Sequence, residues 1–232
     1  MQKCEFELIN AFHKMYYYLK MQTWGNTYWQ GTPVLKCPLD LWIYQEILYE
    51  LQPDLIIECG TGSGGSAHYL ASLCDLLSCG IVVSIDVEDR AERPIHSRIT
   101  YLRGSSVEPN IVSYVQELAA KAKMVMVILD SDHRCSHVLQ ELRLYGPLVT
   151  PGSYIIVEDT NLNGHPVAHD FGPGPWEAVE LFLAETTQFM RDAMREKFMI
   201  TANPGGYLRR LRNPARLDSG WDSTYTSDIR LK

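Results

Sequence analysis

None of the six cysteines (Cys4, Cys37, Cys59, Cys74, Cys79, Cys135) forms a C-x-x-C pair, which removes the usual signature of a thiol redox centre or a zinc ribbon. No apolar run approaches the roughly 20 residues needed to span a bilayer. The opening segment has no charged stretch leading into a long apolar one, so no secretory signal is expected. Positive charge is also short: 21 Lys and Arg stand against 28 Asp and Glu, a net charge of −7. Binding along a phosphate backbone needs a positive field, so a nucleic-acid partner is not expected. There is no internal repeat and no low-complexity segment. What is left is a chain of 232 residues, 46% hydrophobic, which suits one α/β domain in a reducing, cytoplasmic setting.

Alternation governs the middle of the chain. Residues 6–20 have helical spacing, 24–36 are irregular and aromatic, and 39–51 form a helix behind Pro38. Strands are expected at 54–58, 81–86, 99–102, 124–130 and 154–158, with helices at 64–77, 110–120, 136–148 and 176–186. Such alternation implies a parallel sheet covered on both faces. Residues 198–201 and 207–211, joined by Asn203-Pro204-Gly205-Gly206, read as an antiparallel hairpin. The expected organisation is a helical, pocket-covering extension (1–52), a binding domain (53–211) and a polar tail (212–232).

Between the first of these strands and its helix lies Glu58-Cys59-Gly60-Thr61-Gly62-Ser63-Gly64-Gly65. Gly60, Gly62 and Gly65 satisfy G-x-G-x-x-G, which brings backbone N–H groups and a helix N-terminus to a ligand. That pattern alone admits a dinucleotide, and with it an NAD-dependent oxidoreductase. Glu58 argues otherwise: a carboxylate there would repel a pyrophosphate but hold an ammonium group, as S-adenosylmethionine would offer. Thr61, Ser63 and Ser66 complete the expected cradle. Asp86 ends the next strand, where an acid accepts hydrogen bonds from ribose hydroxyls of either cofactor class. Ser105 and Ser106 either contact an adenine edge or serve as turn residues.

Asp130 follows the most apolar strand, and Glu158 and Asp159 follow the next. In a parallel sheet both emerge at one carboxyl edge, where ligands bind. Three carboxylates at close range repel, so a divalent cation is their natural partner, and oxygen ligands favour Mg²⁺ or Mn²⁺. Glu158 and Asp159 are adjacent and would point to opposite faces of an extended strand, so the backbone has to turn for both to reach one ion. Asp132 is an alternative ligand or a helix cap. His133, three residues after Asp130, suits deprotonation of a substrate hydroxyl. His133 and His137 also have a zinc-like spacing, but no third soft ligand accompanies them.

Together, ECGTGSGGS (58–66), VSIDVE (83–88), LDSDH (129–133) and VEDTN (157–161) resemble the cephalosporin hydroxylase (CmcI-type) methyltransferases, which are close to the rhamnosyl O-methyltransferases and similar to macrolide-sugar O-methyltransferases. WQGTPVLKCPLDLWIYQE (29–46) and FGPGPWEAVELFL (171–183) resemble the same family. The resemblance implies a Rossmann-like class I fold, α/β, with a mostly parallel seven-stranded sheet and a C-terminal antiparallel hairpin. It places Mg²⁺ ligands at Asp130, Glu158 and Asp159, the base at His133 and cofactor-binding acids at Glu58 and Asp86. Tyr28, Trp29 and Lys36 match the segment covering the pocket, and 171–176, ending in Trp176, would form a substrate wall. The implied activity is S-adenosylmethionine-dependent O-methylation of a small hydroxylated molecule, a sugar or natural-product scaffold, by a homodimer or larger homo-oligomer. A cofactor-binding but non-catalytic subunit is the alternative outside enzymes.

Overall fold

A computed structural model describes residues 3–213; the expected tail therefore lies outside the described residues from position 214 onward. Helix α1 (Lys3–Tyr18) leads through two short turns into a ribbon of β1 (Tyr28–Trp29) and β2 (Thr32–Pro33), then α2 (Pro38–Leu51). The alternating part runs β3 (Leu55–Cys59), α3 (Gly65–Leu77), β4 (Ile81–Asp86), β5 (Ile99–Arg103), α4 (Pro109–Ala119), β6 (Val125–Leu129), α5 (Cys135–Tyr145) and β7 (Tyr154–Val157). It closes with α6 (Pro175–Glu185), β8 (Phe189–Arg191) and β9 (Tyr207–Arg210).

Seven strands form one sheet in the order β5-β4-β3-β6-β7-β9-β8. The pairs from β5 to β7 are parallel, and β9 runs antiparallel to both β7 and β8. The alternating strand residues divide the core. Leu55, Ile57, Val127 and Leu129 face α4, α5 and α6, whereas Ile56, Met126, Ile128 and Ile156 face α2 and α3. Helix α2 buries Ile43, Tyr44, Ile47 and Leu48 in that second layer.

The closing hairpin differs from expectation. Phe198–Thr201 form no strand; β9 pairs instead with β8, across residues 192–206. The segment near Thr201 is held by Asp40 of α2, which accepts from Thr201 Oγ1 (2.5 Å) and Ala202 N (2.8 Å). Those bonds draw the segment over the α2 side instead of into the ladder.

Candidate active site

Chain reversal in strand order occurs between β3 and β6, and the loops after these two strands meet there. Gly60 (φ +95°) allows that meeting, because a Cβ at this position would lie 1.8 Å from the Asp130 carbonyl oxygen. Gly65 does the same for the cover: its Cβ would lie 2.2 Å from Pro33 O. The loop is pinned from β4, where Asp86 Oδ2 accepts from Thr61 N (3.0 Å) and Gly62 N (2.8 Å) and lies 3.2 Å from Arg93. Its Oδ1 accepts from Glu88 N. Asp86, expected to face ribose hydroxyls, thus holds the loop's backbone through Oδ2, while its Oδ1 accepts a single bond.

Glu58 is fully buried beneath the loop, with Oε2 accepting from Ser84 Oγ at 2.5 Å. Its Oε1 is buried without a hydrogen-bond partner. Burial pushes its carboxyl up to about 7, against the opposing pull of Lys36. Thr61, Ser63 and Ser66 line a cleft of about 370 Å³ together with Gly60, Gly62, Asp130, His133 and Asp159. Tyr17, Trp24, Pro33, Val34, Leu35, Leu162 and Phe171 complete its wall.

The strand after β6 ends before Glu158, and Asp159 takes φ +55°. This left-handed residue resolves the problem of adjacent side chains on opposite faces. Asp159 comes within 3.3 Å of His133 Nε2 through Oδ2, and Asp130 Oδ1 lies 3.9 Å from the same nitrogen. Ligand atoms of Asp130, His133 and Asp159 all lie within 4.8 Å of one another, a spacing that suits a metal ion. Glu158 sits deeper: its Oε1 accepts from Tyr44 OH and Lys36 Nζ, both at 2.5 Å. Lys36 Nζ also donates to Asp130 Oδ2 at 2.6 Å. Burial alone would lower the Lys36 pKa, but Asp130, Glu158 and Glu58 more than reverse it, so the ammonium stays charged. Burial raises the carboxyls of Glu158 and Asp159, while Lys36 draws the first back down and His133 the second.

Several expected residues are placed elsewhere. Tyr28 is 59% exposed, and Trp29 donates to Ser72 Oγ and packs edge-on to Tyr69, so Trp29 anchors the cover to α3 and neither residue lines the cleft. Trp176 stacks on His165, with the Arg191 guanidinium 4.8 Å from its ring centroid, outside both cavities; Phe171 is the wall residue from that segment. Lys36 lies in the acid cluster, not at a substrate surface. Ser105 Oγ accepts from Val107 N, a turn role. Ser106 Oγ donates to Glu141 Oε1 at 2.5 Å and lies 3.1 Å from His137, so it is not free for an adenine edge. This also turns His137 away from His133, leaving no His pair for zinc. Asp132 accepts from Arg134 N and its guanidinium, which holds its carboxyl down at about 2; it is not a ligand.

Three contributors were not foreseen. Glu141 of α5, fully buried, accepts from both Ser106 and Ser131, tying the loops after β5 and β6 together. Tyr44 of α2 reads as a core residue by its helical spacing, yet its hydroxyl reaches Glu158. From α1, His13, Tyr16 and Tyr17 roof a second, small cavity of about 30 Å³, floored by Lys36, Asp130, Glu158 and Asp159. Tyr17 stacks on Trp24 with ring centroids 5.6 Å apart. The aromatic content of that helix was its only sequence signal.

The family model for Rhamnosyl O-methyltransferase/CmcI matches residues 21–211. The rhamnosyl O-methyltransferase of Mycobacterium tuberculosis is 41% identical over 206 residues, covering 86% of this chain and 83% of that protein. That of Mycobacterium leprae is 39% identical over 209 residues, covering 88% and 90%. Among solved structures, CmcI with Mg and SAM shares 22% identity at a TM-score of 0.62, over 80% of this chain and 76% of that one. MycE with Mg, SAH and mycinamycin VI shares 20% at 0.51, over 78% and 50%. At those identities the structural likeness establishes the shared fold, and the sequence matches establish the rest: this chain belongs to the Rhamnosyl O-methyltransferase/CmcI family of methyltransferases.

Proposed function

We propose that the protein transfers a methyl group from S-adenosylmethionine to a hydroxyl of a sugar-bearing or related natural product, with a divalent cation, Mg²⁺ or Mn²⁺, at Asp130, Glu158 and Asp159. The observation that carries this reading is the convergence of Asp130, His133 and Asp159 within 4.8 Å at the mouth of the glycine-loop cleft, with Glu158 joined to Asp130 through the Lys36 ammonium. The residues fit both groups. An oxygen of Glu58 is buried without a partner below the loop, as a site for an ammonium group requires. The acid cluster offers hard oxygen donors turned together by Asp159.

When bound, the cofactor supplies an electrophilic methyl and the cation stabilises charge on the accepting oxygen. Glu58, Gly60, Thr61, Gly62, Ser63 and Ser66 hold and orient the cofactor, with Asp86 fixing the loop. His133 takes the hydroxyl proton at Nε2, the nitrogen facing Asp130 and Asp159. The Tyr17–Trp24 stack and Phe171 exclude water and align the acceptor, which is where most of the acceleration in such a transfer originates. The names of the mycobacterial relatives support a deoxysugar hydroxyl as first choice of acceptor.

Cytoplasmic residence is supported by the free cysteines Cys37, Cys59, Cys74, Cys79 and Cys135. No helix among the described residues is long and apolar enough to cross a membrane. Self-association is supported by α1, whose Leu8, Phe12 and Met15 are 71%, 45% and 51% exposed on one stripe.

The test is methyl transfer from labelled S-adenosylmethionine to a panel of rhamnosides and related glycosides, with and without Mg²⁺. Asp130→Asn should lower kcat by about 10²-fold or more and abolish calorimetric Mg²⁺ binding. Full Mg²⁺-dependent turnover by that variant would refute the reading.

A further inference from the structure

Lys36 stands between two carboxylates, where a bridging cation would otherwise stand. Its side chain is only 3% exposed, with Nζ 2.6 Å from Asp130 Oδ2 and 2.5 Å from Glu158 Oε1. The backbone is shaped to put it there. Leu35 takes φ +59°, a left-handed conformation unfavourable for a non-glycine residue. Thr27 Oγ1 then accepts from Lys36 N at 3.2 Å and fixes the next residue.

The ammonium engages one oxygen of each acid and leaves the other. Asp130 Oδ1 faces His133, and both hydrogen bonds accepted by Glu158 fall on Oε1. Charge points the same way. Asp130, Glu158 and Asp159 carry three negative charges; one ammonium leaves two, which a single divalent cation cancels. Without Lys36, one ion would leave a buried negative charge unmatched, and such a charge is costly.

We propose that Lys36 is a resident cation of this cluster: it keeps its oxygens on Asp130 and Glu158 while a divalent ion takes the remaining ones with Asp159. It is a positioning residue, orienting two carboxylates and limiting how tightly the ion is held. The contrary arrangement is a placeholder that leaves when the ion arrives. The inference rests on the metal site of the preceding section, and the experiment separates the two.

Calorimetric titration of the wild-type protein with Mg²⁺ comes first; no binding would overturn both readings. If it binds, Lys36→Met should bind Mg²⁺ at least about tenfold more tightly, because a like charge a few ångströms away is gone. The variant's Tm without metal should fall, and saturating Mg²⁺ should raise it more than it raises the wild type's. Lys36→Arg, which keeps the charge, should stay within about threefold of wild-type affinity. Damage to the fold alone would weaken binding, so equal or weaker affinity in Lys36→Met overturns the proposal while leaving the metal site standing. If Lys36→Met does not fold, lysine-¹⁵N-labelled wild type decides. The protected ammonium resonance absent from Lys36→Arg should persist at saturating Mg²⁺, and its loss to solvent exchange would overturn the proposal.

Discussion

Asp159 couples two neighbouring side chains to one site through its own backbone. At φ +55° it occupies the small left-handed region that Asp and Asn tolerate and β-branched residues do not. Asp159→Asn should therefore hold Tm close to wild type while cutting Mg²⁺ affinity at least about tenfold by calorimetry. Asp159→Val should lose both, with roughly 1–3 kcal/mol of stability read from urea midpoints. Strand alternation predicts opposite faces for Glu158 and Asp159, and no periodicity encodes a single left-handed residue. The acids and the need for a turn between them were legible in the sequence; that Asp159 makes the turn in a left-handed conformation was not. His13 illustrates the same limit. Burial lowers its pKa from 6.5 to about 4, and its Nε2 lies 3.1 Å from Asn161 Nδ2, which suits a neutral ring. A base with a depressed folded pKa contributes stability above its unfolded value and loses it as the folded pKa is approached. The wild type should thus lose stability between pH 6.5 and about 4, on the order of 3 kcal/mol from this group. His13→Leu should lose correspondingly less between those pH values in urea titrations; an unchanged slope would show that other groups dominate.

Two elements hold the site's loops in register, and each can be tested separately. Helix α5 reaches back through Glu141 to Ser106 and Ser131. Glu141→Ala should cost on the order of 2–3 kcal/mol, since two buried hydroxyls lose an acceptor, whereas Glu141→Gln should recover much of it. Helix α3 touches the cover where Gly65 meets Pro33, so Gly65→Ala should displace that ribbon and raise the KM for cofactor several-fold with a smaller change in kcat. The helices and five parallel strands were readable because their apolar runs are long and regularly spaced. The antiparallel close of the sheet was readable too, but the place of its first strand was not. Residues 198–201 look strand-like, but bonds from Asp40 claim that stretch, and the three-residue β8 is too short to show a period.

At the scale of the whole molecule, the parallel sheet sets five loop ends along one edge, and the N-terminal helices close over them. The helical spacing of residues 6–20 sets Leu8, Phe12 and Met15 on one side of α1, and that side is the exposed one, while His13, Tyr16 and Tyr17 turn inward. Pattern finds a face without saying what it packs against. Light scattering on the purified protein should show a dimer or larger, and Leu8→Glu with Phe12→Glu should shift it toward monomer.

The ammonium of Lys36 reaches its two carboxylates across 94 and 122 positions of chain. Contacts so distant form late, because the loop they close must be ordered first. During synthesis Lys36 emerges well before either acid, and the pocket cannot exist until β7 has joined the sheet. In refolding, the far-ultraviolet signal of helices should therefore return ahead of competence to bind Mg²⁺, the interval between them marking the time taken to bring the two ends of the sheet's history together.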